Sequence, residues 1–127
     1  MAKQSDPVRR VFKTAGFLRA AKKAHISDGE LCQTIREVIL GQVDNLGGGV
    51  FKKRLGKNLY RSIILAQGGQ YWVYEYLFAK KDRANIEDDE LADFRKLAKL
   101  YAALTAQQVS QLLANRARME ICHEDQA

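Results

Sequence analysis

The sequence predicts an α+β protein in which helices precede and follow a central antiparallel β-hairpin. Two runs rich in β-branched and aromatic residues, Tyr60 to Gln67 and Gln70 to Phe78, are separated by Gly68-Gly69. This glycine pair tolerates the positive φ angles of a two-residue type I′ turn. Capping signals, Ser27 to Glu30 before the hairpin and Thr105 to Gln108 after it, begin runs with helical spacing of apolar residues.

The N-terminal part predicts one strand followed by two helices. Val8 to Lys13 reads as a short strand and Ala15 to Ala24 as a short helix. Ser27 should cap the second helix, with the Glu30 side chain reaching back to the cap. The helix should end near Gly41. Its apolar positions recur at helical spacing: Leu31, Ile35, Val38 and Ile39.

The remaining elements follow from glycines and from acidic capping residues. The glycines at 47–49 predict a turn that leads into a strand from Val50 to Leu55. The acidic residues at 87–90 favour a helix N-terminus, and an apolar stripe from Leu91 to Leu104 follows them. A fourth, shorter helix should begin after Thr105, and residues 119–127 form a brief strand or a flexible tail.

The hairpin turn sets a register that sorts the side chains between two faces. With a two-residue turn, Gln67 lies opposite Gln70 and Arg61 lies opposite Tyr76. Alternation then places one set on one face, namely Arg61, Ile63, Leu65, Trp72, Tyr74, Tyr76 and Phe78, and a second set on the other, namely Tyr60, Ser62, Ile64, Val73, Glu75 and Leu77. Since neither set is wholly polar, we expect helices to cover one face and a concave, partly polar surface to remain on the other.

Length and composition predict a single domain over residues 1–127, with a core at about residues 8–118. No apolar run approaches the roughly 20 residues that span a bilayer, so we expect a cytoplasmic protein without membrane contact. Cys32 and Cys122 lack a CxxC pair or nearby ligands, which predicts two reduced cysteines and no metal site. We also expect no cofactor, because no phosphate-binding loop is visible, and we expect a solvent-exposed His25 at a helix end.

The positive charge of the chain is concentrated between Phe51 and Ile86. This segment holds eight basic residues and two acidic ones, a net charge of +6, which equals the net charge of the whole chain. Lysines and arginines at strand ends also prevent edge-to-edge pairing, and that is the simplest reading for an arbitrary protein. Five basic residues without an acid between Lys52 and Arg61 must repel one another, however, which favours binding to a polyanion such as nucleic acid.

Cleavage of RNA through its 2′-hydroxyl is a chemistry that such a surface could support. The protein must orient the strand, move two protons and stabilise the charge of the phosphorane. Arg61 suits charge stabilisation because its guanidinium is always protonated and forked. The residues that could act as acid or base are lysines, whose pKa falls when other cations crowd them: Lys53, Lys57, Lys80 and Lys81. Tyr60 and Tyr76 could stack on bases, supply hydroxyl groups or simply pack in the sheet.

Several segments resemble the RelE/HigB-like toxins of bacterial toxin-antitoxin systems, over roughly residues 8 to 122. The segments are FKKRLGKNLYRSI, the Gly-Gly hairpin, YLFAKKDRANI and the helix containing FRKLAKLY, and they are closer to the HigB-type subgroup than to RelE itself. The resemblance implies the RelE-like fold, a small antiparallel sheet flanked by N-terminal and C-terminal helices. It also implies an endoribonuclease that cuts messenger RNA on the ribosome, and an antitoxin, often a helix-turn-helix protein, through which the toxin reaches operator DNA.

The basic active surface of the family falls on seven residues of this chain: Lys52, Lys53, Arg54, Arg61, Lys80, Lys81 and Arg83. The chain departs from many relatives by a shorter loop at residues 55–59 and by Ile86-Glu87 where some carry a catalytic tyrosine. Two other functions remain open at this point. One is a binding protein that acts with its antitoxin in operon regulation and cleaves weakly or not at all, and the other is a toxin with a different target such as gyrase.

Overall fold

A computed structural model describes residues 10–67 and 71–122 of the chain. Within these ranges, no helix is long and apolar enough to cross a membrane. Six strands and four helices follow one another in the described part of the chain: β1 (Arg10–Thr14), α1 (Ala15–Ala24), α2 (Asp28–Ile39), β2 (Asp44–Gly47), β3 (Val50–Leu55), β4 (Tyr60–Gln67), β5 (Tyr71–Ala79), α3 (Asp88–Ala102), α4 (Ala106–Ala114) and β6 (Arg118–Ile121).

The six strands form one sheet in the order β2-β3-β4-β5-β1-β6. The strands from β2 to β5 form an antiparallel meander, and β6 is antiparallel to β1. The sheet is nevertheless mixed, because β1 lies parallel to β5, with Arg10 opposite Tyr71. The predicted α+β class and the central hairpin are therefore confirmed, and the sheet contains one parallel pair and an additional strand, β2.

Helices pack on both faces of the sheet, which corrects the expectation that one face would be left uncovered. On the first face, α1 and α2 bury a core that includes Phe17, Leu31 and Ile64. On the second face, α3 packs over Ile63 and Leu65, while α4 covers a smaller cluster beside β1. We call these the α1/α2 face and the α3 face.

The predicted register of the hairpin is wrong by one residue near the turn and by two farther away. Gln67 pairs with Tyr71 instead of Gln70, so three residues separate the strands; the turn itself lies outside the described ranges. A β-bulge then places Ile63 opposite Tyr76 and Arg61 opposite Phe78.

At the bulge, two consecutive side chains of β5 both contact α3. The Glu75 carboxylate accepts a hydrogen bond from the Tyr101 hydroxyl at 2.7 Å, and the rings of Tyr76 and Phe94 lie 6.0 Å apart. The alternation of β5 is therefore interrupted. Tyr76 and Phe78 share the α3 face with Ile63 as predicted, but four residues nearer the turn have exchanged faces: Trp72, Val73, Tyr74 and Glu75.

The predicted helix caps form, with one change of partner. Ser27 and Thr105 accept hydrogen bonds from the backbone of the third residue of their helices, and Gln108 completes the second capping box. Glu30 does not reach back to Ser27. Its carboxylate instead accepts a hydrogen bond of 2.6 Å from the backbone N–H of Gly56, in the loop between β3 and β4.

The two cysteines form a disulfide, which corrects the prediction of two reduced thiols. Cys32 lies in α2 and Cys122 directly follows β6, with their Cα atoms 5.3 Å apart across a sequence separation of 90 residues. Both side chains pack against the core of the α1/α2 face. The bond therefore ties α2 to the edge of the sheet that β6 forms.

Candidate nucleic-acid interface

Two rows of cross-strand neighbours bring basic and aromatic side chains together on the α3 face. The first row is Lys52, Ile63 and Tyr76, and the second is Arg54, Arg61 and Phe78. Ile63, Tyr76 and Phe78 belong to the core cluster under α3, which fixes the face to which both rows point. We call the four polar members of these rows, with Arg83, the basic surface: Lys52, Arg54, Arg61, Tyr76 and Arg83.

Arg54 and Arg61 form a pair of like charges directly opposite each other on neighbouring strands. Such pairs destabilise a sheet, since side chains in this relation are close neighbours. In the described part of the chain, neither guanidinium has a carboxylate partner, and the Arg54 side chain is exposed. An anion between or above the two groups would relieve the repulsion.

The Arg61 guanidinium is held from one side by backbone carbonyls. Its Nη1 donates to the carbonyl oxygens of Asn58 and Tyr60, both at 3.1 Å. The Nε and Nη2 groups make no hydrogen bond within the described residues, so they remain available to a ligand. Preorganised donors of this kind are the groups that stabilise developing negative charge.

The loop that supplies the Asn58 carbonyl has an unusual backbone. Gly56, Lys57 and Asn58 all have positive φ angles, of 58°, 56° and 72°, which are unfavourable for the two residues other than glycine. The hydrogen bond from Gly56 to Glu30 and a bond from Leu59 N–H to the Gly56 carbonyl hold the loop in this form. Lys57 lies exposed at its tip.

Arg83 is hydrogen-bonded to three other residues of the protein. Its Nη1 donates to a Glu90 carboxylate oxygen at 3.1 Å and to the Tyr76 hydroxyl at 3.3 Å, and its Nη2 donates to the other Glu90 oxygen. Its Nε donates to the Asn85 carbonyl at 3.0 Å, and the guanidinium lies 5.5 Å from the centre of the Phe78 ring. The hydrogen bonds to Glu90 and Tyr76 raise the pKa of Arg83, and the Arg83 guanidinium lowers the pKa of Glu90.

Asn85 fixes the segment between β5 and α3 against the basic surface. Its side-chain oxygen accepts hydrogen bonds from the Lys52 ammonium at 3.2 Å and from the backbone N–H of Ile86 at 2.9 Å. Lys52 is thus positioned by a neutral partner, and it forms no salt bridge with any residue in the ranges that the structure describes. Asn85 therefore links Lys52, on β3, to Arg83, whose Nε donates to the Asn85 carbonyl oxygen.

Lys53 lies on the opposite side of the sheet from the basic surface. Its ammonium forms a salt bridge of 2.9 Å with Glu37 of α2 and donates to the Gln42 carbonyl. Lys53 is therefore neutralised beneath α2, although it stands between Lys52 and Arg54 in the sequence. The structure brings those two neighbours together and separates Lys53 from them.

Lys80, Lys81 and Tyr60 lie at the end of the hairpin. Tyr60, Tyr76, Lys81 and Arg83 line a cleft of about 340 Å³, and a smaller hollow of about 280 Å³ adjoins it beside Lys80. Both lysines are exposed and make no ion pair within the described ranges. Two residues of the basic surface, Tyr76 and Arg83, thus also line this cleft.

Sequence reasoning missed the residues that organise this surface. Three residues have this role: Glu30 binds the loop at Gly56, Asn85 binds Lys52, and Glu90 binds Arg83. Each of them stands in a stretch of sequence that reads as a helix cap or a turn. The FAKKDRANI segment contained a usable signal for Asn85, since a short amide side chain in a turn frequently bonds to nearby backbone. His25 is exposed at the end of α1, as predicted.

A second polar network lies buried beside α4, away from the basic surface. Burial lowers the pKa of Arg118, whose guanidinium lies between the rings of Phe12 and Tyr101 and donates to Gln67 at 3.0 Å. Burial raises the pKa of Glu75, which accepts the Tyr101 hydrogen bond. This network joins β5, β6 and α3 and has a structural role.

The described ranges contain no group of three or more His, Cys, Asp and Glu residues that could hold a metal ion. A family model described as the RelE toxin of the RelE/RelB toxin-antitoxin system matches residues 9–121 of the chain. No curated protein matches the sequence. The matched range includes every strand and helix described above, and the basic surface lies wholly within it.

Proposed function

Because this chain belongs to the RelE toxin family, and is thus the toxin of a toxin-antitoxin pair, we propose that it is an endoribonuclease that cleaves messenger RNA on the ribosome. The family membership implies an antitoxin partner.

One observation carries the proposal: the Arg54–Arg61 pair on the α3 face, with Lys52 beside it and no carboxylate facing either arginine within the described residues. Two facing guanidinium groups suit a phosphodiester, because each presents a planar fork of donors to phosphate oxygens. A pair of charges that repel each other in the free protein becomes favourable once a phosphate lies between them. A merely solvated strand edge would be more stable with neutral or opposite charges at these positions.

The reaction we propose uses the 2′-hydroxyl of RNA as the nucleophile. Its oxygen attacks the adjacent phosphorus, the bond from phosphorus to the 5′-oxygen breaks, and a 2′,3′-cyclic phosphate forms. Arg54 and Arg61 stabilise the charge that accumulates on the phosphorane oxygens, and Lys52 holds the neighbouring phosphate. Three exposed lysines at the border of the basic surface contact the RNA phosphates on either side of the cut: Lys57, Lys80 and Lys81. Tyr60 packs against the core of the α1/α2 face and lines the cleft with the rest of its ring, which contacts a base in this proposal.

The experiment is cleavage of a defined message bound to ribosomes by the purified toxin, followed by mapping of 5′ ends. We expect discrete cuts whose upstream fragments end in a 2′,3′-cyclic phosphate, no cuts in a matched DNA strand, and no cuts by an Arg54→Gln, Arg61→Gln double variant that retains its circular dichroism. Cleavage that the double variant retains would contradict the assignment of the basic surface. Growth inhibition without cleavage of any message would favour a different target, such as gyrase.

We also propose that the antitoxin, a helix-turn-helix protein, masks the basic surface with an acidic segment and brings the pair to operator DNA. Reversal of Lys52 to Glu should weaken co-purification of the two proteins, since Lys52 faces the proposed interface. Reversal of Lys53 supplies a matched control, because Lys53 is paired with Glu37 on the other side of the sheet. Equal association of both variants would indicate that the antitoxin binds elsewhere.

A further inference from the structure

The arrangement of Arg83 is better suited to holding a neighbouring side chain than to binding RNA. Four of its hydrogen bonds go to Glu90, Asn85 and Tyr76, and its planar face lies against Phe78. A guanidinium has five N–H donors, and this one has few left for a phosphate. Its charge is also compensated by Glu90. Arg83 therefore does not act as a free cation of the basic surface.

What Arg83 does offer is a fixed donor to the oxygen of Tyr76. The Tyr76 hydroxyl oxygen accepts from Nη1 at 3.3 Å, so its own proton is free to be donated in another direction. The Tyr76 side chain is partly exposed and lines the cleft of about 340 Å³ together with Lys81. Tyr76 lies on the α3 face in the same cross-strand row as Lys52. The neighbouring row contains Arg54 and Arg61.

We infer that Tyr76 is the proton donor to the 5′-oxygen that leaves during RNA cleavage, and that Glu90, through Arg83, is the positioning residue that orients it. This inference rests on the nuclease activity proposed above. The phenolic proton passes to the 5′-oxygen as its bond to phosphorus breaks. The 2′-hydroxyl proton passes to solvent, and solvent returns a proton to the phenolate, so the cyclic phosphate and the 5′-hydroxyl account for all atoms.

The neighbouring groups suit this role. A phenol is far more acidic than the alcohol it would protonate, and the Arg83 guanidinium holds the phenol oxygen in place. Glu90 bonds both Nη atoms of Arg83 while its own position is fixed by a hydrogen bond of 2.7 Å from the Glu87 backbone N–H at the start of α3. The helix N-terminus therefore anchors the chain of contacts that ends at the Tyr76 hydroxyl.

The alternative is that Tyr76 only packs, because its ring lies 5.6 Å from Phe78 and 6.0 Å from Phe94. Tyr76→Phe keeps that packing and removes only the hydroxyl. Glu90→Gln keeps the size of the side chain and removes its charge and one of the two oxygens that accept from Arg83. Two matched controls lie outside the proposed machinery: Tyr71→Phe on the same strand and Asp93→Asn on the same helix.

The test compares two RNA substrates in single-turnover cleavage on the ribosome, one natural and one with sulfur in place of the 5′-oxygen at the mapped cut. A thiolate leaves without a proton, so loss of a general acid should affect only the natural substrate. We expect Tyr76→Phe to lower the single-turnover rate constant on the natural RNA roughly a hundredfold or more, with an unchanged half-saturating concentration. On the sulfur substrate it should match the wild type. Glu90→Gln should show the same pattern more weakly, and both controls should show none.

Two results would overturn the inference while leaving the nuclease intact. One is wild-type cleavage of the natural RNA by Tyr76→Phe, and the other is an equal loss on both substrates, which a purely structural role would produce. A wild-type protein that cleaves neither substrate, in contrast, would refute the nuclease proposal itself and this inference with it.

Discussion

Replacing Arg54 by Gln should make the protein more stable and less active at the same time. Arg54 faces Arg61 across two strands, and in the described structure no acidic side chain compensates either charge. Removing one charge removes the repulsion, and glutamine retains hydrogen-bonding capacity at an exposed strand position. The same substitution removes one of the two guanidinium groups proposed to hold the phosphorane.

The expected magnitudes follow from the position of the pair. Directly opposed side chains on neighbouring strands interact by about 0.2–1 kcal/mol, which for a domain of this size raises the melting temperature by about 1–4 °C. Loss of one preorganised donor to a transition-state anion lowers the cleavage rate roughly a hundredfold or more. Because both arginines are at least partly exposed, added salt should screen the repulsion and reduce the stability gain.

Thermal unfolding at low and high salt, together with single-turnover cleavage, tests both parts. Arg54→Lys keeps the repulsion and should leave stability unchanged, while Arg36→Gln, on an exposed position of α2, controls for a change in net charge. A destabilised Arg54→Gln variant would show that the arginine packs favourably without a ligand. The Arg54–Arg61 pair would then not be a repulsive pair that an anion relieves.

Four further outcomes are expected. Arg61→Ala should fold normally and lose roughly a hundred- to a thousandfold in cleavage rate, with poor rescue by Arg61→Lys, as judged by circular dichroism and cleavage assays. Cys32→Ser, or reduction of the bond to Cys122, should lower the free energy of unfolding by about 4–5 kcal/mol, measured by urea titration with and without reductant. Burial raises the pKa of Glu75, so the folded protein binds more protons than the unfolded chain above about pH 4.3. The free energy of unfolding should therefore fall as the pH rises through the folded pKa of Glu75. Glu75→Gln should abolish this fall, measured as the urea midpoint at a series of pH values. RNA affinity should drop steeply between low and physiological salt, and a flat dependence would count against phosphate binding.

Local chemistry made the helices and several strands predictable from sequence. The predicted bounds of α1, β3 and β4 agree with the structure, because Ala15 to Ala24 has helical spacing and the strands are bounded by glycine turns. The register of β5 was not predictable in the same way. Whether Glu75 and Tyr76 point to one face depends on Tyr101 and Phe94, which arrive from a helix much later in the chain.

The cluster of basic residues in the sequence indicated the candidate site. The contacts that organise the site could not be predicted from the sequence. Arg54 and Lys53 are adjacent and chemically alike, and only the strand geometry assigns one to the basic surface and the other to Glu37. Similarly, nothing in the spacing of Cys32 and Cys122 signals a bond, since 90 residues separate them and α2 brings them together only in the folded state. Long-range partners are the part of a site that a single sequence leaves undetermined.

The place of β1 in the sheet has a consequence for the order in which the protein assembles. β1 is the first described strand in the chain, yet it lies between β5 and β6, and its Arg10 pairs with Glu120 at a separation of 110 residues. The meander from β2 to β5 has short connections and can form early, whereas the pairing of β1 with β5 and β6 closes much longer loops. We therefore expect refolding in two phases, with the basic surface on β3 and β4 formed before β1 docks. A nascent chain would then display its cationic strands while the far edge of its sheet is still open.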